Sequence, residues 1–531
     1  MLPTRFPRLV LPLLCVLLCL GNCAAKPIDA REYPRTETYA IAPDTDTTFR
    51  RYIAPLVAKN GGQSGFELIT TGKYAFLSRM ALIHYAEKTL DIQYYILQDD
   101  KTGLAILHEV MAAADRGVRV RILVDDMRLK DVYHAMAVMD SHPNIEIRGF
   151  NPITVEKQSL ISRINTWLGD FDRYTKRMHN KALIADNQLA IVGGRNLGDQ
   201  YFDVSGDFAF NDLDVITAGP ITAEISRSFD KYWNSPQAFP RAALTLPEAK
   251  PEDVAELKEQ MVASRKELAE STIGEDLRKN EILSMLREGD GLFTFAPSRF
   301  TVDSPLKIRQ DSDDTESPPF EALVELVEKS DHELLAVTPY FVPREDGVAW
   351  LREAMARGLK VKVLTNSLAA TDVSMVHSGY AKYRREMLEM GVELYEFKQI
   401  PGVRTRSNLF KSSSRSSLHS KVYVVDRRFV VLGSFNLDPR SVELNTELAV
   451  VIDSPKIAAK IVQMFEETIG PKASYKVSLK DVDGIAESKE MVWEAKDKDG
   501  NPEVFVTDPK PGAWRSISTW FFGKFDLDDQ L

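Results

Sequence analysis

Cysteine is nearly missing from this chain. There are three in 531 residues, Cys15, Cys19 and Cys23, all close to the N-terminus. A mature chain cleaved there keeps one cysteine or none, which excludes a disulfide framework and a cysteine-based metal centre. Basic charge is also short: 67 Lys and Arg stand against 77 Asp and Glu, a net charge of −10. Nucleic-acid partners usually meet a basic surface, so none is expected. Histidine is sparse at eight, and no His, Cys, Asp and Glu set has metal-ligand spacing, so no metal or other cofactor is expected. Long apolar runs are missing too. Leu9 to Leu20 is only twelve residues, too short to span a bilayer comfortably but suited to a signal-peptide core.

Arg5 and Arg8 precede that run and the small residues Cys23, Ala24 and Ala25 follow it. This is the pattern of an export signal cleaved near Cys23 or after Ala25, with an uncleaved membrane anchor as the alternative. Leu20-Gly21-Asn22-Cys23 is close to a bacterial lipobox, although Asn22 stands where a small residue is usual. The expected location is periplasmic and membrane-associated, with lipidation at Cys23 one route to the membrane.

What is present is an internal repeat. In the first copy Leu90 to Ile96 reads as a strand, Leu104 to Arg116 as a helix stopped by Gly117, and Val118 to Val124 as a strand. In the second, Leu334 to Val342, Val348 to Arg357, Gly358 and Leu359 to Leu364 repeat the order. Strand–helix–strand units of this length imply parallel strands with right-handed crossovers. The expected fold class is α/β: two pseudo-twofold-related halves, each a mixed, mostly parallel sheet flanked by helices, with the active site between them. The expected divisions are 1–25 signal or anchor, 26–64 lead-in, 65–240 first half, 241–295 helical linker or insert, 296–472 second half and 473–531 C-terminal extension.

Each copy is followed by a matching block. Met178-His179-Asn180-Lys181 runs through Ala182 to Ala185 into Asp186, and six residues later comes Gly193-Gly194-Arg195-Asn196. Leu418-His419-Ser420-Lys421 runs through Val422 to Val425 into Asp426, and six residues later comes Gly433-Ser434-Phe435-Asn436. One such His-x-Lys-x4-Asp match is expected by chance in roughly a few chains per hundred. Two with the same Gly and Asn downstream are not chance. His and Lys two apart on a strand share a face. If the halves face each other, one pocket holds His179, Lys181, His419 and Lys421, a site for one phosphodiester. One His attacks phosphorus, the other serves as acid and then base, and the lysines with Asn196 and Asn436 stabilise the phosphorane charge. Asp186 and Asp426 complete the catalytic motif, although their place at the strand end suits a turn-fixing carboxylate. Gly193 and Gly433 would let backbone approach a ligand. A nucleophilic His needs a carboxylate on its other ring nitrogen. Asp212, eight residues before Pro220, and Glu447, eight before Pro455, are the candidates.

These motifs resemble those of the phospholipase D superfamily, and the wider sequence is similar to its bacterial cardiolipin-synthase branch. Further runs that carry the resemblance are Gly193 to Tyr201, Gly433 to Ser441 and Leu364 to Asp372. It extends over roughly residues 65 to 470 and implies phosphatidyl transfer through a phosphohistidine, with His179 the nucleophile and His419 the acid and base. The pseudo-symmetry leaves that assignment reversible. The implied substrates are phosphatidylglycerol and a second phospholipid, phosphatidylethanolamine in at least one member, met at a membrane surface; an accessory protein is compatible with this reading. Ser434 is expected as a hydroxyl donor to substrate, and Gly194 in its place marks the halves as inequivalent. A phospholipase D-type hydrolase of lipid or nucleic acid is the alternative, and a non-catalytic lipid-binding scaffold the third.

Other segments divide between membrane contact and ordinary packing: Leu160 to Leu168, the loop bases Arg404, Arg406, Lys411 and Arg415, and the aromatics Trp514 to Phe522. Tyr95 and Tyr340 are expected at matching strand ends lining the pocket. The six remaining histidines are expected to be structural, with His377 near the site.

Overall fold

In the computed structural model, which describes residues 29–129, 132–152, 175–204, 209–244, 250–270, 291–311, 315–399, 416–481 and 489–509, both strand–helix–strand units are present. The cysteine-bearing N-terminus, residues 160–168, Arg404, Arg406, Lys411, Arg415 and the aromatic run 514–522 lie outside the described residues. The strands up to the centre of the chain are β1 (Ser64–Ile69), β2 (Thr89–Tyr94), β3 (Arg119–Asp125), β4 (Ile145–Phe150), β5 (Ala182–Ala185), β6 (Leu189–Gly193), β7 (Ala209–Asn211), β8 (Asp214–Ala218), β9 (Ala238–Pro240) and β10 (Thr294–Ala296). Then come β11 (Ser298–Val302), β12 (Glu333–Val337), β13 (Lys360–Asn366), β14 (Glu393–Phe397), β15 (Ser416–Leu418), β16 (Val422–Val425), β17 (Phe429–Gly433), β18 (Leu448–Asp453), β19 (Ser474–Asp481), β20 (Lys489–Lys496) and β21 (Pro502–Phe505).

One sheet runs β10-β1-β8-β6-β5-β2-β3-β4-β9 and the other β11-β18-β17-β16-β12-β13-β14-β19-β20-β21. The crossover strands β2-β3-β4 and β12-β13-β14 are parallel, as the repeat predicts. The remaining pairs within both sheets are antiparallel, so the parallel share is smaller than expected. The motif strands β5 and β16 each enter antiparallel to a crossover strand and turn straight back. Short turns permit that reversal, whereas a parallel return needs a long connection. The strands β19 to β21 of the C-terminal extension continue the second sheet, and β10 joins the first although it sits beside the second half in sequence.

The main helices are α1 (Gly72–Tyr85), α2 (Lys101–Asp115), α3 (Pro220–Trp233), α4 (Pro251–Glu270), α5 (Pro318–Glu328), α6 (Arg344–Ala356), α7 (Ser374–Met390) and α8 (Pro455–Thr468). α2 and α6 end at Arg-Gly, with Gly117 and Gly358 at φ 92° and 108°, the left-handed conformation that stops a helix. α4 packs on α2, so this part of the central segment is an insert. Each outer sheet face has its own apolar core. A third core lies between the sheets, where Ile225 and Phe229 of α3 and Ile461 and Phe465 of α8 meet Val422, Val424, Val430 and Leu432. Both helices start with Pro at N1, where its missing N–H is harmless. Burying each such side chain stabilises by about 1.5–3 kcal/mol, which clamps the halves face to face.

Arg121 of β3 ties this frame together. Its guanidinium donates to both oxygens of Asp91 at 2.6 and 2.8 Å, to Asp230 of α3 at 2.8 Å and to the Thr38 carbonyl at 2.8 Å. Arg121→Met leaves two buried carboxylates without their cation. A loss of about 3–5 kcal/mol is expected in urea unfolding; a loss below about 1 kcal/mol would mean that water takes over the carboxylates.

Candidate active site

The histidines are brought together by a crosswise exchange of backbone. β15, which leads into His419, pairs in parallel with β7 of the first half, Leu418 opposite Asn211. His419 N–H then donates to the Asn211 carbonyl at 2.7 Å. In the other direction Met178 bridges Thr446, and His179 N–H donates to the Thr446 carbonyl at 2.9 Å. The next residue on each partner segment is a carboxylate. His179 Nδ1 therefore meets Glu447 at 2.9 and 3.0 Å, and His419 Nδ1 meets Asp212 at 2.5 Å. Each histidine is oriented by the opposite half, a crossing that spacing along the chain did not reveal.

The lysines fold back beside their histidines. Lys181 Nζ donates to the His179 carbonyl at 2.6 Å, and Lys421 Nζ donates to the His419 carbonyl and lies 2.9 Å from His419 Nδ1. Aromatic rings wall the pair: Tyr95 is edge-on to His179 at 5.2 Å, and Tyr201 and Phe210 lie 5.6 and 4.8 Å from His419. Tyr340 is a different case. Phe341 bridges Leu437 as Leu97 bridges Leu197, so Tyr340 matches Ile96 and not Tyr95. Its hydroxyl donates to Asp372 at 2.9 Å.

Several expected roles change. Asp186 accepts the Glu87, Lys88 and Thr89 N–H groups at 2.7–2.9 Å, and Asp426 accepts Ser330 and Glu333. Both fix turns at the end of the motif strands opposite the histidines. Ser434 is fully buried and donates to Glu447, so its hydroxyl is engaged in orienting that carboxylate. In the first half a Cβ on Gly194 would stand 2.4 Å from Asp212 Oδ1; the shorter Asp takes the space that the serine uses opposite. A Cβ on Gly193 or Gly433 would strike Asp214 or the Leu448 carbonyl, so these glycines serve strand packing and not ligand approach. Asn196 is committed, accepting Ile96 N–H and donating to Tyr201 at 3.0 Å. Asn436 is buried with its Oδ1 unpartnered. His377 bonds Asp508 at 3.3 Å.

Two positioning residues escaped sequence reading. Asp125 accepts Met178 N–H at 2.9 Å and Arg177. Asn366 accepts Leu418 N–H at 2.9 Å and donates to the Leu418 carbonyl. They end β3 and β13 at matching positions, and a polar residue closing an apolar strand in both copies was the available signal. Asp303 is a third, accepting Glu447 N–H at 2.9 Å and Lys307 at 2.8 Å.

Burial drives all four cations toward neutrality. His179 is held well below the ordinary imidazole value by burial, then by Lys181 and Lys421. His419 is lowered by burial and Lys421, while Asp212 pulls it back up. Burial also lowers both lysines. Burial raises Glu447 to about 7, against the pull of Lys181 and Ser434. Asp212 feels the same burial, but His419 and Lys421 overcome it and leave its carboxyl below the usual range. Such a pocket favours an anion, and a phosphate entering it would oppose the downward shift of both lysines.

The neutral His179 can attack only while Glu447, as carboxylate, accepts its Nδ1–H. The active form is the deprotonated pair, so kcat/KM should rise with pH through an apparent value of about 7. In Glu447→Gln that limb should vanish and kcat should fall roughly 10²–10⁴-fold with the circular dichroism unchanged. An unaltered profile would remove Glu447 from the mechanism.

The comparisons agree with this geometry. A family model described as a cardiolipin synthase, PLD-like domain, matches residues 80–233 and 323–469, one segment in each half. Cardiolipin synthase C of Escherichia coli (strain K12) is 36% identical over 418 residues, 78% of this chain and 86% of that protein. Cardiolipin synthase A of Pseudomonas syringae is 25% identical over 75% of this chain and 67% of that protein. Among solved structures, the phosphatidylserine synthase of Haemophilus influenzae Rd KW20 shares the fold, with a TM-score of 0.51 at 14% identity, over 81% of this chain and 91% of that one. With a match in each half and a paired His–Lys site between them, the chain belongs to the phospholipase D-like cardiolipin synthase family.

Proposed function

We propose that the chain makes cardiolipin by moving a phosphatidyl group onto phosphatidylglycerol, from a second phosphatidylglycerol or from phosphatidylethanolamine. The observation that carries this reading is the crossed pair His179–Glu447 and His419–Asp212, with both lysines alongside. His179 Nε2 attacks phosphorus and forms the N–P bond. The bond to the leaving headgroup oxygen breaks, and His419 supplies that oxygen with a proton. The acceptor hydroxyl then gives its proton to His419, its oxygen attacks phosphorus, and the N–P bond breaks. Lys181, Lys421 and Asn436 stabilise the extra charge on the phosphorane oxygens. The division of roles is supported by the electrostatics: His179 is the more strongly neutral imidazole, whereas the ionised Asp212 helps His419 hold a proton.

The same reading puts the protein at a membrane surface after export, anchored by its N-terminal segment and lipidated at Cys23. It is supported by the basic and apolar pattern of residues 5–25. No helix among the described residues is long and apolar enough to cross a membrane. Mass spectrometry of the N-terminal peptide from membrane fractions should find a diacylated Cys23; an unmodified peptide starting at Lys26 would replace lipidation by simple cleavage.

Vesicles of labelled phosphatidylglycerol, with and without phosphatidylethanolamine, test the activity by lipid mass spectrometry. Labelled cardiolipin is expected, and its rate should drop at least about 10²-fold in His179→Ala. Phosphatidic acid as sole product would replace the transferase by a hydrolase.

A further inference from the structure

The two outer cores are not equally filled. In the first half α1 packs along α2, above Ile92 and Ile122, which face each other in β2 and β3. The matching pair in β12 and β13 is Ala336 and Val363, both smaller. The helix corresponding to α1 is also shorter, 11 residues in α5 against 14. The outcome is a cavity of about 340 Å³ between α5, α6 and the sheet. Its wall is apolar, built from Phe320, Leu323, Ala336, Trp350, Leu351 and Val363. At its rim Arg344, held at φ 54°, pairs with Glu443 at 2.5 Å.

One turn of chain joins the wall of the cavity to the active-site residue Asn436. Leu437, Asp438 and Pro439 follow directly after Asn436 and form part of the cavity wall. Val342 N–H clamps that turn by donating to the Leu437 carbonyl at 2.8 Å. Dry apolar cavities less than half this size, about 150 Å³, accept a benzene-sized guest. Apolar walls beside a few polar rim groups are the usual form of a site for an apolar ligand.

We propose that this cavity receives one acyl chain of the phospholipid whose phosphorus lies between His179 and His419. The proposal rests on the phosphatidyl-transfer reading and adds a chain-binding site to it. The turn that walls the cavity with Leu437 and Pro439 also presents Asn436, so headgroup and chain are held by one stretch of backbone. A chain seated there leaves the bilayer and fixes the donor lipid in register with the histidines.

Photolysis of the full-length protein on vesicles containing phosphatidylglycerol with a diazirine near the acyl terminus tests this, with labelled peptides mapped by mass spectrometry. Label is expected on peptides containing residues 318–328 and 344–356. Val324→Trp, at the half-buried edge of α5, should cut that label roughly tenfold and raise KM for long-chain phosphatidylglycerol by a similar factor. Turnover of water-soluble dibutanoyl phosphatidylglycerol should stay unchanged. Turnover with label only elsewhere, or an unchanged chain-length preference in Val324→Trp, overturns the acyl site and leaves the transferase standing. Label in the cavity without turnover of any phospholipid keeps the chain site and removes the transferase.

Discussion

The site depends on one constraint: each histidine takes its carboxylate from the other half of the molecule. A carboxylate can orient an imidazole only at hydrogen-bond distance, and here the distance is fixed by main chain. β15 lies on β7, and Met178 lies against Thr446. Backbone ladders leave little freedom in register, so Asp212 and Glu447 arrive opposite His419 and His179 whatever their own side chains prefer. The core between the sheets, and the buried Arg121 that ties β3 to α3, hold the ladders in place. Neither half can complete either histidine alone.

Enclosing four cations and two carboxylates in one buried pocket is unfavourable unless they neutralise one another. The site does so only in part. The lysines and histidines are pushed toward their neutral forms, and Glu447 toward its acid form. Fully charged, the cations outnumber the carboxylates. A bound phosphodiester supplies negative charge, and the phosphorane that follows carries more of it on the same oxygens. The interaction therefore strengthens along the reaction, which is the condition for catalysis as distinct from mere binding.

Much of this was legible in the chain. The repeat announced two halves because strand period, helix period and the Arg-Gly stop recur together. The two His-x-Lys blocks announced the site, and the shared distance to Pro220 and Pro455 chose Asp212 and Glu447. Local spacing cannot say which half a carboxylate serves, because β7 and β15 pair at a separation of about two hundred residues. It also misassigned residues whose neighbours are distant in sequence. Ser434 looked like a ligand donor until Glu447 was found against it, whereas the turn-fixing place of Asp186 was legible and the Glu87 to Thr89 turn closes on it. Tyr340 was placed one residue out of register, an error that moves a side chain to the other face of a strand.

The inequivalence of the halves has a cause in their cores. Asp212 sits in a first half that also buries Arg79 and Arg195 around Asp214, and Arg195 contributes to keeping Asp212 ionised. The matching positions in the second half are Phe435 and Ala449, as the pairing of Gly193 with Asp214 and Gly433 with Ala449 shows. No guanidinium among the described residues bonds Glu447; burial outweighs the pull of Lys181, Ser434, Lys307 and Lys421 and leaves its carboxyl at about 7. An ionised partner stabilises an imidazolium, which suits His419 to carrying the proton. A partner poised between its two forms beside a neutral imidazole suits His179 to attacking phosphorus. Arg195, matched by Phe435 in the second half, thus adds to the pull of His419 and Lys421 that keeps Asp212 ionised, and the roles proposed for the two histidines follow that difference.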